Sequence, residues 1–129
     1  MNMNILRIEF SVAKFALLIL ILFVSCQSNN YQETDLHGSW KVVNWEIISS
    51  GQERNNQMDM SFEDDGSYTV DYGSEKEVGE YRIANDFLHT TETDQAEKKV
   101  KILGLSQDTL SFQMNRGGEL ENVILVRSK

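Results

Sequence analysis

From Gly38 onward, apolar residues recur at every second position over short segments. Met58, Met60 and Phe62 alternate with polar neighbours. So do Tyr68, Val70 and Tyr72, then Tyr81 and Ile83, then Val100 and Ile102, then Leu110, Phe112 and Met114. A period of two places each set on one side of a half-buried strand. Turn chemistry separates the segments: Asp64-Asp65-Gly66 and Arg116-Gly117-Gly118 are the strongest signals, because glycine reaches positive φ at no steric cost. Gly73-Ser74, Asn85-Asp86, Asp94-Gln95 and Ser106-Gln107-Asp108 serve the same purpose. The pattern predicts eight strands, at 39–48, 58–64, 67–72, 78–84, 87–93, 98–105, 109–115 and 119–127. Every link is short except residues 49–57.

Eight hairpin-linked strands form a meander, and an open meander exposes two edges to aggregation. Pairing the last strand with the first removes both edges. The predicted fold is therefore all-β, an eight-stranded antiparallel up-and-down barrel behind an N-terminal signal helix. Two strands depart from simple alternation. In the first, Trp40 and Val42 share one parity, while Val43, Trp45 and Ile47 share the other; a bulge near Val42-Val43 reconciles them. In the last, Val123, Ile124, Leu125 and Val126 are all apolar, which leaves its inward parity open.

The N-terminal segment follows a different rule. An unbroken apolar run, Phe15 to Val24, follows Lys14 and ends at Ser25 and Cys26. A run of roughly ten residues has the length of a secretory h-region, well short of the ~18 residues or more of a membrane-spanning helix. Phe23-Val24-Ser25-Cys26 resembles the bacterial lipobox, with phenylalanine where leucine is commoner. Residues 1–25 then read as a lipoprotein signal peptide and Cys26 as the site of lipid attachment by palmitate-type acyl chains. An uncleaved signal anchor and a soluble core helix are the alternatives. Several acyl chains make membrane attachment effectively permanent, since each buried methylene adds ~0.8 kcal/mol. Residues 26–35 read as a flexible polar tether, and residues 36–129 as the barrel domain.

Charge and cysteine content narrow the function. The chain has 20 acidic and 12 basic residues, a net charge of −8. Residues 1–25 carry Arg7 and Lys14 against Glu9, so the acidity belongs to the remainder. A strongly acidic surface repels nucleic acid, which argues against a nucleic-acid partner. The single cysteine precludes an internal disulfide.

No catalytic pattern emerges. His37 and His89 stand apart from each other and from Cys26 at no metal-ligand spacing, and read as a turn residue and a solvent-face strand residue. Glu63-Asp64-Asp65-Gly66 lacks the alternating oxygen spacing of a calcium loop and reads as a hairpin turn. Glu75, Glu77 and Glu80 read as surface decoration. Glu92 shares parity with Leu88 and so points inward near one rim, where it either meets a cationic or hydroxylated ligand or simply ends a strand. Nucleophile elbow, phosphate loop and nucleotide fingerprint are all absent from the sequence. Neither metal nor cofactor is expected, and the protein reads as a non-enzyme.

Gly38-Ser39-Trp40 opens the first strand and Arg127 ends the last. This resembles the lipocalin pattern of a Gly-x-Trp on the first strand and a late arginine packed over the tryptophan. The ordered set Gly38-Ser39-Trp40, Asp65-Gly66-Ser67-Tyr68, Gly79-Glu80-Tyr81 and Asp108-Thr109-Leu110 is similar to that of the short lipocalin-like lipoproteins of Bacteroidetes, across residues 36–127. The resemblance implies that Trp40 plugs the barrel base and Arg127 caps it. Topology agrees, because antiparallel closure brings the start of the first strand and the end of the last to one rim. The opposite rim then carries the 49–57 loop, with Trp45, Met58, Tyr72 and Met114 in the upper interior and Glu92 nearby. The chain's modest length argues that these residues fill a solid core; the resemblance argues that they line a ligand cavity. The acid-rich start similar to a surface-export signal is missing after Cys26, which leans toward the periplasmic side.

Two functions follow as expectations. The first is a non-catalytic, membrane-anchored lipocalin-like lipoprotein of the bacterial cell envelope, held at the outer membrane and binding a small apolar or amphipathic ligand. The alternative is a protein-interaction module of the envelope, an assembly subunit or hydrolase inhibitor with a filled core, whose acidity suits docking to a basic partner.

Overall fold

The computed structural model describes residues 29–129. The signal segment 1–25, the lipidation site Cys26 and the first tether residues lie outside the described residues. The strands are β1 (Gly38–Ile47), β2 (Asp59–Phe62), β3 (Ser67–Asp71), β4 (Lys76–Ala84), β5 (Phe87–Glu92), β6 (Lys98–Leu105), β7 (Thr109–Arg116) and β8 (Glu119–Arg127). Each pairs antiparallel with the next, and β8 returns to β1, giving a closed eight-stranded barrel. All eight strands foreseen from the alternation are present, with no end displaced by more than two residues.

The irregular strands resolve as bulges. The β1–β8 register runs Val42↔Leu125 and then Asn44↔Ile124, leaving Val43 unpaired. Val43 turns outward, 58% exposed, so that Trp40 and Val42 below it and Trp45 and Ile47 above it all face the interior. A second bulge in β6, between Ile102 and Gly104, sends Leu103 outward and returns Leu105 to the core. In β8 the buried set is Glu121, Val123 and Leu125. Arg127 has the same parity and therefore points inward at the base, as a capping arginine must.

The base is densely packed. Trp40 is fully buried, and its indole N–H donates to the Leu36 carbonyl at 2.9 Å. The Arg127 guanidinium lies 4.2 Å above the Trp40 ring, a favourable cation–π distance. Its Nε donates to the Gln107 carbonyl at 2.7 Å, its Nη2 to Asp35 at 3.1 Å, and its Nη1 to His37. Gly38, at φ +116°, makes room for this: a Cβ there would stand 2.7 Å from Arg127 Nη1. Phe62 and Tyr81 meet edge to face at 5.0 Å just inside.

A short helix, α1 (Glu33–Leu36), closes the base from below. It falls within the stretch read as a flexible tether. The Gln32 N–H donates to the Asp35 carboxylate, Glu33 Oε1 accepts from the Ile83 N–H at 3.2 Å, and Leu36 is fully buried. Tyr31 also packs against the core. The ordered domain thus starts earlier than polarity indicates, because polar side chains there bind the barrel rim rather than water.

Candidate functional site

At the rim opposite α1 the interior is not filled. A cavity of about 770 Å³ opens between the 48–58 segment and the turns that follow β3, β5 and β7. Met60, Val70, Leu88 and Phe112 form its apolar floor, all buried. Trp45, Met58, Tyr72, Glu92 and Met114 all line it. The structure thus brings every residue the sequence placed in the upper interior around one cavity, from strands on different sides of the barrel. Of the two interiors the sequence left open, filled or hollow, this rim has the hollow one. The buried side chains fill the barrel from the base up to the floor, and above it the lining residues turn polar.

A cluster of polar groups, Tyr68, Glu77, Lys98 and Tyr72, stands on the cavity lining. Tyr68 is buried, and its hydroxyl donates to Glu77 Oε2 at 2.6 Å. Burial, then the adjacent Glu77 carboxylate, pushes this phenol well above its ordinary value, so it stays a proton donor at neutral pH. Lys98 Nζ donates to Glu77 Oε1 at 3.3 Å. Burial likewise pushes up the Tyr72 phenol, with Glu77 the next cause.

Glu77 corrects its reading as surface decoration: its side chain is 13% exposed. The ladder Val70↔Glu77 and Asp71↔Lys76 extends β4 two residues beyond the predicted start, and this moves Glu77 from a turn into the inward row. Glu75 is exposed at the rim and Glu80 is exposed on the wall.

Gly79 has a steric role. Its Cβ would lie 2.0 Å from the Thr91 carbonyl oxygen, so β4 and β5 could not approach as closely with any other residue there. The register sets Tyr68 opposite Gly79 and Gly79 opposite Glu92. No side chain therefore stands between Tyr68 and Glu92 on the inner wall.

The residue that sequence reasoning missed is Glu121. It is fully buried, the one buried charged residue among those described. Its Oε1 accepts from Trp45 Nε1 at 3.1 Å and from Arg54 Nε, while Oε2 has no hydrogen-bond partner. Arg116 Nε stands 3.8 Å from Oε2, and the Arg116 guanidinium is 5.7 Å over the Trp45 ring. Arg54 belongs to the long 48–58 segment, and its N–H also donates to the Trp45 carbonyl at 2.7 Å. Glu121 thereby fastens that segment to the barrel and fixes the Trp45 indole. The sequence did hold a signal: counting back by twos from an inward Arg127 passes Leu125 and Val123 and arrives at Glu121.

Comparison with known proteins agrees with this architecture. Residues 36–112 match the model of the lipocalin-like domain family. No curated protein matches the chain. Among solved structures, an uncharacterized protein from Bacteroides eggerthii DSM 20697 is similar with a TM-score of 0.58 at 13% identity, covering 72% of this chain and 99% of that one. A lipocalin-like protein from Bacteroides uniformis ATCC 8492 is similar with a TM-score of 0.57 at 16% identity, covering 73% of this chain and 99% of that one. At such identities the two structures speak to the fold alone. The family model spans the base plug, the Asp-Gly-Ser-Tyr turn and most of the cavity wall, and with a closed meander barrel capped at one end and open at the other, this chain belongs to the lipocalin-like domain family.

Proposed function

We propose that this protein is a non-catalytic binding lipoprotein whose barrel takes up a small apolar or amphipathic ligand. It is held by acylated Cys26 at the outer membrane of a bacterial envelope, with its mouth facing away from the bilayer. The observation that carries the reading is the cavity of about 770 Å³ above a packed base. That volume falls within the ~300–1,000 Å³ of small-molecule sites. An apolar floor beneath a rim rich in polar and charged groups matches an amphipathic occupant. The chain enters the barrel through α1 at the base, so attachment through a residue that precedes α1 in the sequence keeps the opposite rim accessible.

Native mass spectrometry of protein purified gently from its host tests both halves. The expected species starts at an acylated Cys26 and carries a co-purified small molecule. Titration of the emptied protein with short alcohols of increasing chain length should change the emission of Trp45, which lines the cavity, and Trp45→Phe should remove that response. A Trp45 signal unchanged by every chain length would overturn the binding reading.

A further inference from the structure

One charged group on the inner wall of the cavity is left without a partner, and it points to the head group of the occupant. Each cation on its lining already has a partner. Lys98 is bonded to Glu77 at 3.3 Å, Lys76 lies 4.0 Å from Asp71, Lys99 sits 4.8 Å over the Phe87 ring, and Arg116 lies 3.8 Å from Glu121. Two lining carboxylates remain. Glu75 is exposed at the rim, where water solvates it. Glu92 is half-buried on the inner wall, and among the described residues its carboxylate makes neither a hydrogen bond nor an ion pair. The register places Glu92 in the same inward row as Tyr68, with only Gly79 between them, and Tyr72 lines the same cavity.

We propose that the ligand of this cavity is a cationic amphiphile, an apolar body bearing a protonated amine or quaternary ammonium that seats beside Glu92 and the rings of Tyr68 and Tyr72. This inference rests on the reading of the barrel as a ligand-binding site and names the chemical class it takes. An apolar body filling the space above Met60 and Phe112 strips water from the rim. A carboxylate that loses water and gains no partner is strongly unfavourable. A neutral head leaves that cost in place, and an anionic head adds repulsion. An anion would have to detach Lys98 from Glu77 or Arg116 from Glu121, or settle for the exposed Lys76 and Lys99, whose attraction water and salt screen. A cation supplies the missing partner without breaking a pair, and aromatic faces nearby attract it further. The net charge of −8 draws cations toward the protein from solution.

The test uses the mature lipoprotein in nanodiscs of zwitterionic lipid, with empty nanodiscs as the blank. Three probes share one body and differ in the head: 4-phenylbutyl-trimethylammonium, 4-phenylbutanol and 4-phenylbutanoate. Calorimetry and Trp45 emission report the affinities. The ammonium should bind about ten-fold more tightly than the alcohol, equivalent to about 1.4 kcal/mol, and the carboxylate should bind most weakly. In Glu92→Gln, which keeps the shape and removes the charge, the ammonium-to-alcohol ratio should fall to about one. Its melting temperature should stay unchanged, because no protein partner is lost. Equal affinity for all three probes, a preference for the carboxylate, or an ammonium preference that survives in Glu92→Gln would each overturn the head-group inference while leaving the binding reading intact. Failure of all three probes to bind would overturn both.

Discussion

The two ends of the barrel are built from the same eight strands by opposite rules. At the base, polar groups are matched. The Trp40 N–H has the Leu36 carbonyl, and the three donor nitrogens of Arg127 have three backbone carbonyls. At the mouth they are not matched: Glu121 Oε2 lacks a hydrogen bond, Glu92 lacks a partner, and about 770 Å³ is unfilled. Turns follow the same division. The base turn between β4 and β5 is the tight pair Asn85-Asp86, both at positive φ as a type I′ turn demands. The mouth carries the long 48–58 segment. A barrel that concentrates its packing at one end can leave the other open, because closure of the ladder already holds every strand in place.

The sharpest way to break this comparison is to remove the plug. Trp40→Ala should cost about 3–5 kcal/mol, the range for a large aromatic truncated in a core, measured as a shift in the urea midpoint. A cost near zero would show that the base is not where stability resides. Arg127→Ala should follow at about 2–3 kcal/mol, since charge-assisted hydrogen bonds are lost along with the stacked guanidinium. Arg127→Lys should restore little, because an ammonium cannot reach three carbonyls in the planar geometry of the guanidinium.

Glu121→Ala should cost about 1–3 kcal/mol by stranding the Trp45 N–H and Arg54. Its distinguishing effect is local. Hydrogen exchange at the Arg54 amide, bonded to the Trp45 carbonyl, should accelerate more than exchange anywhere at the base.

The base also has a signature in alkali. Burial raises the Tyr81 phenol from 10.0 to about 12, with Glu33 the next cause. A phenol whose value rises on folding adds stability that is fully present below pH 10. That stability fades as pH climbs from 10 to about 12, because the unfolded chain loses its proton first. Tyr81→Phe should make the fall in stability between pH 10 and about 12 shallower without abolishing it, because the raised Tyr68 and Tyr72 phenols contribute to the same fall. Smallest of all should be the stability effect of Met114→Ala at the mouth. It should be about 1 kcal/mol, less than the ~2–5 of a fully buried methionine, because the side chain is only partly buried, packed against the core on one side and lining the cavity on the other. Ligand affinity should fall nonetheless, and that split between stability and binding would confirm the division of the barrel.

Alternation in the sequence was enough to place eight strands, their turns and the ends that close on each other. It also assigned Val43 to a bulge, since two runs of opposite parity cannot otherwise share one inner face. It failed at Glu77, where the visible apolar pattern of β4 stops before the hydrogen-bonded ladder does. It failed at residues 33–35, where a polar segment finds its partners on the barrel rim. Glu121 was hidden because four consecutive apolar residues in β8 mask the parity that Arg127 reveals.

Strand number, order and closure were therefore determined by the sequence alone, because side-chain alternation and turn geometry act between near neighbours and can be read one segment at a time. Whether the upper interior is full or empty, and which carboxylates face it, was decided only in the tertiary structure. That outcome depends on how eight inward rows meet across the barrel, and no single segment contains the distance between them.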